Sequence, residues 1–213
     1  MAKKQTKPCS IGCYSECSEK CAYYQNNECS YVELLEQYRG RCCIGCDNGW
    51  SGHIVVLDPN TMQLVHIEPF PDAKRLYQVF EEFTPLYTVI EQVFMAPGFK
   101  GVASSNFEIM GRYKQVFEML NLEYDCVRAV SWRAKLGIKA KGRPAQKAAS
   151  IAKAKELFSP EEFDRLCTDY TRIDKTLHKK VTERWPDDNK CESALIGVYS
   201  AMKWIESNKQ NEV

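Results

Sequence analysis

Four carboxylates in this sequence stand where a folded chain has little structural use for them. In "RCCIGCDNGWSGHIVVLD", residues 41–58, an apolar run climbs to Asp47 and breaks at Asn48-Gly49, and a second apolar run follows at Ile54–Leu57. A carboxylate closing a buried strand needs a counter-charge or a metal, because an unpaired buried charge is costly. Glu91, inside "LYTVIEQVFM", repeats the pattern. "WPDDNKCESALIG" adds Asp188 and Glu192, four residues apart and therefore on one face of a helix. Hard oxygen donors of this kind suit Mg2+ or Mn2+. Two such ions close together activate a water and stabilise the leaving oxygen in phosphodiester hydrolysis. Each acid also has a structural reading. Asp47 can serve a turn at Asn48-Gly49, and Asp187 or Asp188 can cap a helix N-terminus. Glu91 is the hardest to explain structurally.

The elements that must position these acids can be read from periodicity. Strands are expected at 41–47, 53–58 and 62–68, the last two joined by the turn residues of "DPNT". A helix over 72–83 places Leu76, Val79, Phe80 and Phe83 on one face. A buried strand over 86–95, the loop "APGFKGVASSN", the helix "FEIMGRYKQVFEML" and a fifth strand, "YDCVRAV", follow. Pro144 can start a helix at about 145–157. Residues 159–187 read as a short helix and a polar connection, and a last helix covers 189–206 with Cys191, Leu195, Val198, Met202 and Ile205 at helical spacing. This order implies an α/β fold with a mixed five-stranded sheet flanked by helices. The expected organisation is a Cys-rich extension over 1–40, one domain over 41–206 and a polar tail over 207–213. In such sheets ligands collect at strand ends, where Asp47 and Glu91 fall.

Composition narrows the partners. The 213 residues are 44% hydrophobic, enough for a core, and contain no apolar run of the ~18 residues a membrane span needs. The N-terminus "MAKKQTKPCS" has no apolar segment of a secretory signal, so a cytoplasmic protein is expected, with its eleven cysteines as thiols or metal ligands. Net charge is only +1, but residues 128–155 hold nine Lys/Arg and no Asp or Glu, so subtracting nine leaves −8 for the rest of the chain. A basic stretch on an acidic body is the electrostatic footprint of a polyanion-binding surface. Arg133, Lys135, Lys139, Lys141, Arg143 and Lys147 are its candidate nucleic-acid contacts, against the plainer reading of a solvated helix face.

The ordered set of segments resembles the RuvC-like Holliday-junction resolvases of the ribonuclease H-like superfamily, of bacterial or phage type. "IGCDNGWSGHIVVLD" looks like their first motif, an Asp-x-Gly on strand one, with Asn48 where Pro is frequent. "TVIEQVFMAPGFKGVASSNFEIMGRY" is similar to the second, a strand Glu followed by a loop and a Gly-containing helix. "SWRAKLGIKAKGRPAQKAASIAKAKELF" resembles the basic segment leading to a Lys, and "DDNKCESALIG" the closing acidic pair in its Asp-x-x-x-Glu form. The likeness spans roughly residues 41–205. It implies a ribonuclease H-like fold and an endonuclease that nicks branched DNA, leaving a 5′-phosphate and a 3′-hydroxyl. It also implies Asp47, Glu91, Asp188 and Glu192 as ligands of two Mg2+ or Mn2+ ions, with Asp187 or Asn189 as residues that can share the role of Asp188. Lys147 would contact phosphate near the cut, and the host would be a bacterial or phage-infected cell. A nuclease of hybrids or flaps, and a non-catalytic Cys-rich DNA-binding protein, are the other readings the sequence leaves open.

A two-fold homodimer is expected from the symmetry of a four-way junction and from the helix 106–120, whose Phe107, Ile109, Met110, Tyr113, Val116, Phe117 and Leu120 lie on more than one face. Tyr113, Phe107 and Phe99 are candidates for a base-stacking wedge or for the core. Trp132, Trp185 and Trp204 are expected in the core or at its rim, and His53 and His66 as structural or exposed residues. Cys9, Cys13, Cys17 and Cys21 recur every four residues, with Cys29 following. Too few large apolar residues surround them to build a core, so a Zn2+ site, an iron–sulfur cluster and inert thiols are the three readings.

Overall fold

The computed structural model describes residues 24–25, 28–92, 103–174 and 179–211. A two-stranded hairpin, β1 (Tyr24–Gln25) and β2 (Glu28–Cys29), leads into helix α1 (Tyr31–Tyr38). Strands β3 (Cys43–Cys46), β4 (His53–Leu57) and β5 (Leu64–Pro69) form an antiparallel meander. Helix α2 (Ala73–Phe83), strand β6 (Tyr87–Glu91), helix α3 (Ala103–Met119) and strand β7 (Tyr124–Val127) come next. The central sheet has the order β5-β4-β3-β6-β7, with β6 parallel to both β3 and β7. The mixed five-stranded α/β architecture expected from the sequence is therefore present.

The strand alternation of period two sorts the sheet into two faces. Ile44, Cys46, Ile54, Val56 and Ile90 join α2 and α3 in one apolar cluster with Leu76, Phe80, Phe83, Tyr113 and Phe117. Cys43, Val55, Leu57, Tyr87 and Val89 pack on the other face, against α4 (Ala129–Lys135), α5 (Arg143–Leu157) and α7 (Asp188–Asn211). Tyr31 of α1 is tied to the body through Arg75, whose guanidinium also grips Glu68 and Glu82 at 2.9–3.1 Å. Part of the 1–40 segment thus belongs to the core.

Gly45 of β3 faces α7 so closely that a Cβ there would lie 2.1 Å from the backbone N of Gly197. Only a residue without a side chain permits that contact, and it presses α7 onto the centre of the sheet. The edge strand β5 is covered by α6 (Pro160–Arg165): Glu162 accepts from the Leu64 N–H at 2.6 Å, and Arg165 donates to the carbonyls of Leu64 and Val65. Free backbone groups on an open sheet edge invite pairing with other chains, and these side chains occupy them.

Several expected boundaries differ. "YDCVRAV" is strand only to Val127, because Arg128 turns the chain into α4. The polar connection expected after α6 is instead an antiparallel ribbon, β8 (Cys167–Asp174) and β9 (Lys179–Pro186), paired over its whole length. Its mixed Thr, Asp, Arg and Lys content hides a strand signal, since among its described side chains neither face is buried in a core. Helix α7 runs to Asn211, so residues 207–211 continue the helix rather than form a tail. Helix α3 places Ile109, Met110, Tyr113, Val116 and Phe117 in the core of its own chain, leaving Phe107 and Met119 as its exposed large apolar residues. Among the described residues no helix is long and apolar enough to cross a membrane.

Candidate active site

Alternation aims the strand acids at one place. Cys43 and Gly45 point toward α7, so Asp47, two residues on, continues that side just past the end of β3. Tyr87 and Val89 share that face, and Glu91 follows them at the end of β6. The turn after Asp47 is made by backbone groups alone: Gly49 N–H to Asp47 C=O at 3.2 Å, and Gly52 N–H to Gly49 C=O at 2.8 Å. The Asp47 carboxylate takes no part in it, which removes the turn as that side chain's reason.

Three carboxylates converge. Asp47 is pushed up to about 7, first by its withdrawal from water and then by the negative charges of Glu91 and Glu192, against a weaker opposing pull from Arg133 and Lys147. Burial also raises Glu91, with Glu192 adding to the shift, while the Trp132 indole and Arg133 oppose it. Trp132, fully buried on α4, donates its Nε1–H to Glu91 Oε2 at 2.7 Å. On α7, Glu192 accepts from Arg133 Nη2 at 2.7 Å and from Ser150 Oγ at 3.1 Å. Arg133 also stacks over the Trp132 ring at 4.6 Å. Each acid except Asp47 is thus held by a dedicated donor.

Asp188 begins α7 and forms an ion pair with Lys147 of α5. Lys147 also acts on Asp47, so the pair sets Asp188 at the α5 border of the three-acid cluster. Asp187, by contrast, is the helix cap. Its Oδ1 accepts from the N–H groups of Asn189 and Lys190 at 3.0 and 3.2 Å, and its Oδ2 from Thr168 at 3.0 Å. Those bonds use both of its oxygens.

Among the described residues, no three of His, Cys, Asp and Glu stand close enough to share an ion as placed, because Glu91, Glu192 and Asp188 are turned onto Trp132, Arg133 and Lys147. The donor chemistry nevertheless fits a divalent cation. The site is all-carboxylate, one member is driven toward neutrality by burial and then by its acidic neighbours, and Asn48 beside it is 7% exposed with neither amide atom paired. An open cavity of about 410 Å³ adjoins Glu91, lined by Asn48, Gln92, Asn106 and Arg128 among others.

The basic residues divide into two groups. Arg133 and Lys147 pair with acids of the site, and Lys135 with Glu206 at 2.5 Å on α7. Lys139, Lys141 and Arg143 are exposed on the loop before α5 and its first turn, with no ion pair among the described residues. Tyr113 is core, ringed by Phe70, Phe80 and Phe117, and Phe107 is 41% exposed. His53 and His66 are buried, the latter 3.1 Å from Glu68. Cys9, Cys13, Cys17, Cys21 and Phe99 lie outside the described residues, as does the side chain of Cys29. Sequence reasoning did not single out Trp132 or Ser150 as partners of the acids. Ser150 lies three residues after Lys147, so both face α7 from one side of α5, a spacing that was available as a signal.

No protein-family model and no curated protein matches this sequence. Its fold is that of RuvC: the structure of T. thermophilus RuvC in complex with Holliday junction substrate is similar with a TM-score of 0.50 and 13% identity, over 78% of this chain and 94% of that one. A second Thermus thermophilus RuvC structure gives 0.48 at 12% identity, over 79% and 96%. The yeast mitochondrial Holliday junction resolvase Ydc2 gives 0.46 at 15%, over 88% and 91%.

Proposed function

We propose that this protein is a metal-dependent endonuclease that nicks four-way junctions or other branched DNA. The observation that carries the reading is the convergence of Asp47, Glu91 and Glu192 from three separate elements on one face of a RuvC-like sheet. Asp47, Glu91 and Glu192, with Asp188 at the α5 border, would hold Mg2+ or Mn2+, two ions per site; when bound, these would supply positive charge at the phosphorus and a polarised water.

The chain's own groups account for the rest. Trp132 fixes the Glu91 carboxylate, and Ser150 fixes one oxygen of Glu192, so both acids are oriented before substrate arrives. Arg133 and Lys147 carry positive charge at the rim of the acids and can exchange a carboxylate partner for a phosphate oxygen. Lys139, Lys141 and Arg143, exposed beside them, suit the phosphates of a flanking arm. The RuvC structure that shares this fold was determined with Holliday junction substrate, which supports a junction as the branched form preferred. A two-fold homodimer would present two equivalent sites to the two symmetry-related strands of such a junction.

The test is cleavage of a synthetic four-way junction, a flap and an RNA–DNA hybrid, each in Mg2+ and in EDTA. Metal-dependent nicks placed symmetrically near the crossover are expected. Cutting confined to the hybrid or flap would replace the substrate, and no cutting of any of them in Mg2+ or Mn2+ would overturn the enzymatic reading. Sedimentation of the free and junction-bound protein tests the dimer.

A further inference from the structure

The β8–β9 ribbon supplies no acid of the site described above, yet Thr168 at its root bonds Asp187, the residue before Asp188. Eight residues in each strand make a ribbon about 27 Å long, and among the described residues no third strand pairs with it. The register sets Thr168 opposite Trp185 and Tyr170 opposite Glu183, so these four side chains share one face. Asp169, Thr171, Thr182 and Arg184 share the other, and that face is internally satisfied. Arg184 pairs with Asp164 and Asp169, and the Thr171 and Thr182 hydroxyls meet at 2.9 Å.

The first face is different. Tyr170 and Trp185 are 62% and 58% exposed, diagonal neighbours across the two strands, and no ring of a described residue packs on either. The indole is nonetheless held, because its Nε1–H donates to Glu183 Oε2 at 3.1 Å. A large ring held in position with its faces exposed is a surface on which a flat group can stack. Between the rings and the start of α7 lies an open groove of about 370 Å³, lined by Thr168, Tyr170, Trp185, Pro186, Asp187 and Asp188. Asp188 is one of its lining residues, and Lys147 of α5 pairs with that carboxylate.

We propose that this groove takes an unstacked nucleobase at the branch point of branched DNA, stacked on Tyr170 and Trp185, and so positions the strand that enters the acid cluster. The inference rests on the nuclease reading and names the substrate feature that reading leaves open. A base at a branch point has a π-face without a neighbour, and aromatic side chains bind such faces with little regard to sequence. The alternation of the two rings with Thr168 and Glu183 leaves no continuous apolar strip for a protein segment or a second copy. Lys147, paired with the lining residue Asp188, is a cation suited to the phosphate attached to the stacked base. A two-stranded ribbon of this width also fits the major groove of the adjoining arm.

The experiment uses the full chain with a four-way junction carrying 2-aminopurine at the crossover, in Ca2+ to allow binding without cleavage. Wild-type protein is expected to quench the probe. Tyr170→Ala/Trp185→Ala is expected to lose the quenching and to bind the junction at least about fivefold more weakly, while affinity for plain duplex is unchanged. Thr171→Val/Thr182→Val, on the opposite face, is the control for ribbon folding and is expected to behave as wild type. Unchanged quenching and affinity in the aromatic variant overturn the proposal while leaving the nuclease reading intact. Quenching that depends on the two rings, in a protein that cuts no DNA in Mg2+, upholds the groove and overturns the nuclease. If the control variant loses quenching equally, the effect belongs to the ribbon's fold and the stacking assignment fails.

Discussion

Replacing Gly45 with Ala is expected to damage this protein more than any other single added methyl group in the sheet. The new Cβ would lie 2.1 Å from Gly197 N, 2.5 Å from Gly197 Cα and 2.6 Å from Ile196 C. All three are backbone atoms, so no side chain can rotate away, and reaching an ordinary 3.4 Å contact requires about 1.3 Å of separation between β3 and α7. Overpacking of this kind typically costs about 1–3 kcal/mol. For a chain of this length that is a fall in Tm of roughly 3–10 °C. The site is close to the disturbance: Asp47 is two strand residues past Gly45, roughly 7 Å, and Glu192 is five helical residues before Gly197, also roughly 7 Å. A displacement near 1 Å between the two acids is expected to lower the cleavage rate about 100-fold. Gly197→Ala is the matched control. Its Cβ would meet Leu57 Cδ1 at 3.0 Å and Val55 Cγ1 at 3.4 Å, side chains that can yield by a few tenths of an ångström, and Ala favours the helix by about 1 kcal/mol. Thermal melting, Ca2+ affinity and junction cleavage of both variants make the assay. A Gly45→Ala protein that melts within about 2 °C of wild type and cuts normally, or a Gly197→Ala protein equally impaired, would refute the close contact as the element that sets the acids.

Asp47→Asn and Glu91→Gln are each expected to abolish cleavage while keeping junction affinity in Ca2+ within about threefold, since the phosphate contacts lie elsewhere; near wild-type cutting by both would remove them from the site. Asp47 in the metal-free protein holds its proton up to about 7, well above the ordinary 3.8, so the folded state binds more protons between those values and stability falls as pH rises through that window. Asp47→Asn is expected to flatten this slope in urea melts, and Ca2+ affinity of the wild type is expected to weaken by up to about tenfold per pH unit below 7, where proton and ion compete; an affinity independent of pH from about 6 to 8 contradicts the coupling. Lys139, Lys141 and Arg143 replaced together by Glu are expected to weaken binding to any DNA and to reduce the slope of log affinity against log salt by about one unit per lost phosphate contact. For the N-terminal cysteines, elemental analysis of anaerobically purified protein separates the three readings: zinc or iron near one equivalent marks a metal site, and neither in the folded protein leaves them as inert thiols.

Much of this architecture is legible in the order of the residues. The alternation of Cys43 to Cys46 and of Tyr87 to Ile90, with an acid ending each run, is a local property of a strand, and period two alone decides which face Asp47 and Glu91 share. The i,i+4 step from Asp188 to Glu192 is likewise local, as is the start of α5 at Pro144. The donors that hold the acids are not legible there, because they are non-local. Trp132 reaches Glu91 across 41 residues and Arg133 reaches Glu192 across 59, and no periodicity links positions so far apart. Helical spacing cannot say which of Asp187 and Asp188 caps α7, since that depends on Thr168 arriving beside Asp187 from the ribbon. The ribbon itself escapes reading because strand patterns arise from burial on one side, and among its described side chains neither face is buried in a core. Nor can the sequence show that α3 buries most of its apolar residues within its own chain, which depends on α2 closing over it. Local backbone geometry therefore decides where the acids point, and the close packing of α7 on Gly45 decides that they meet.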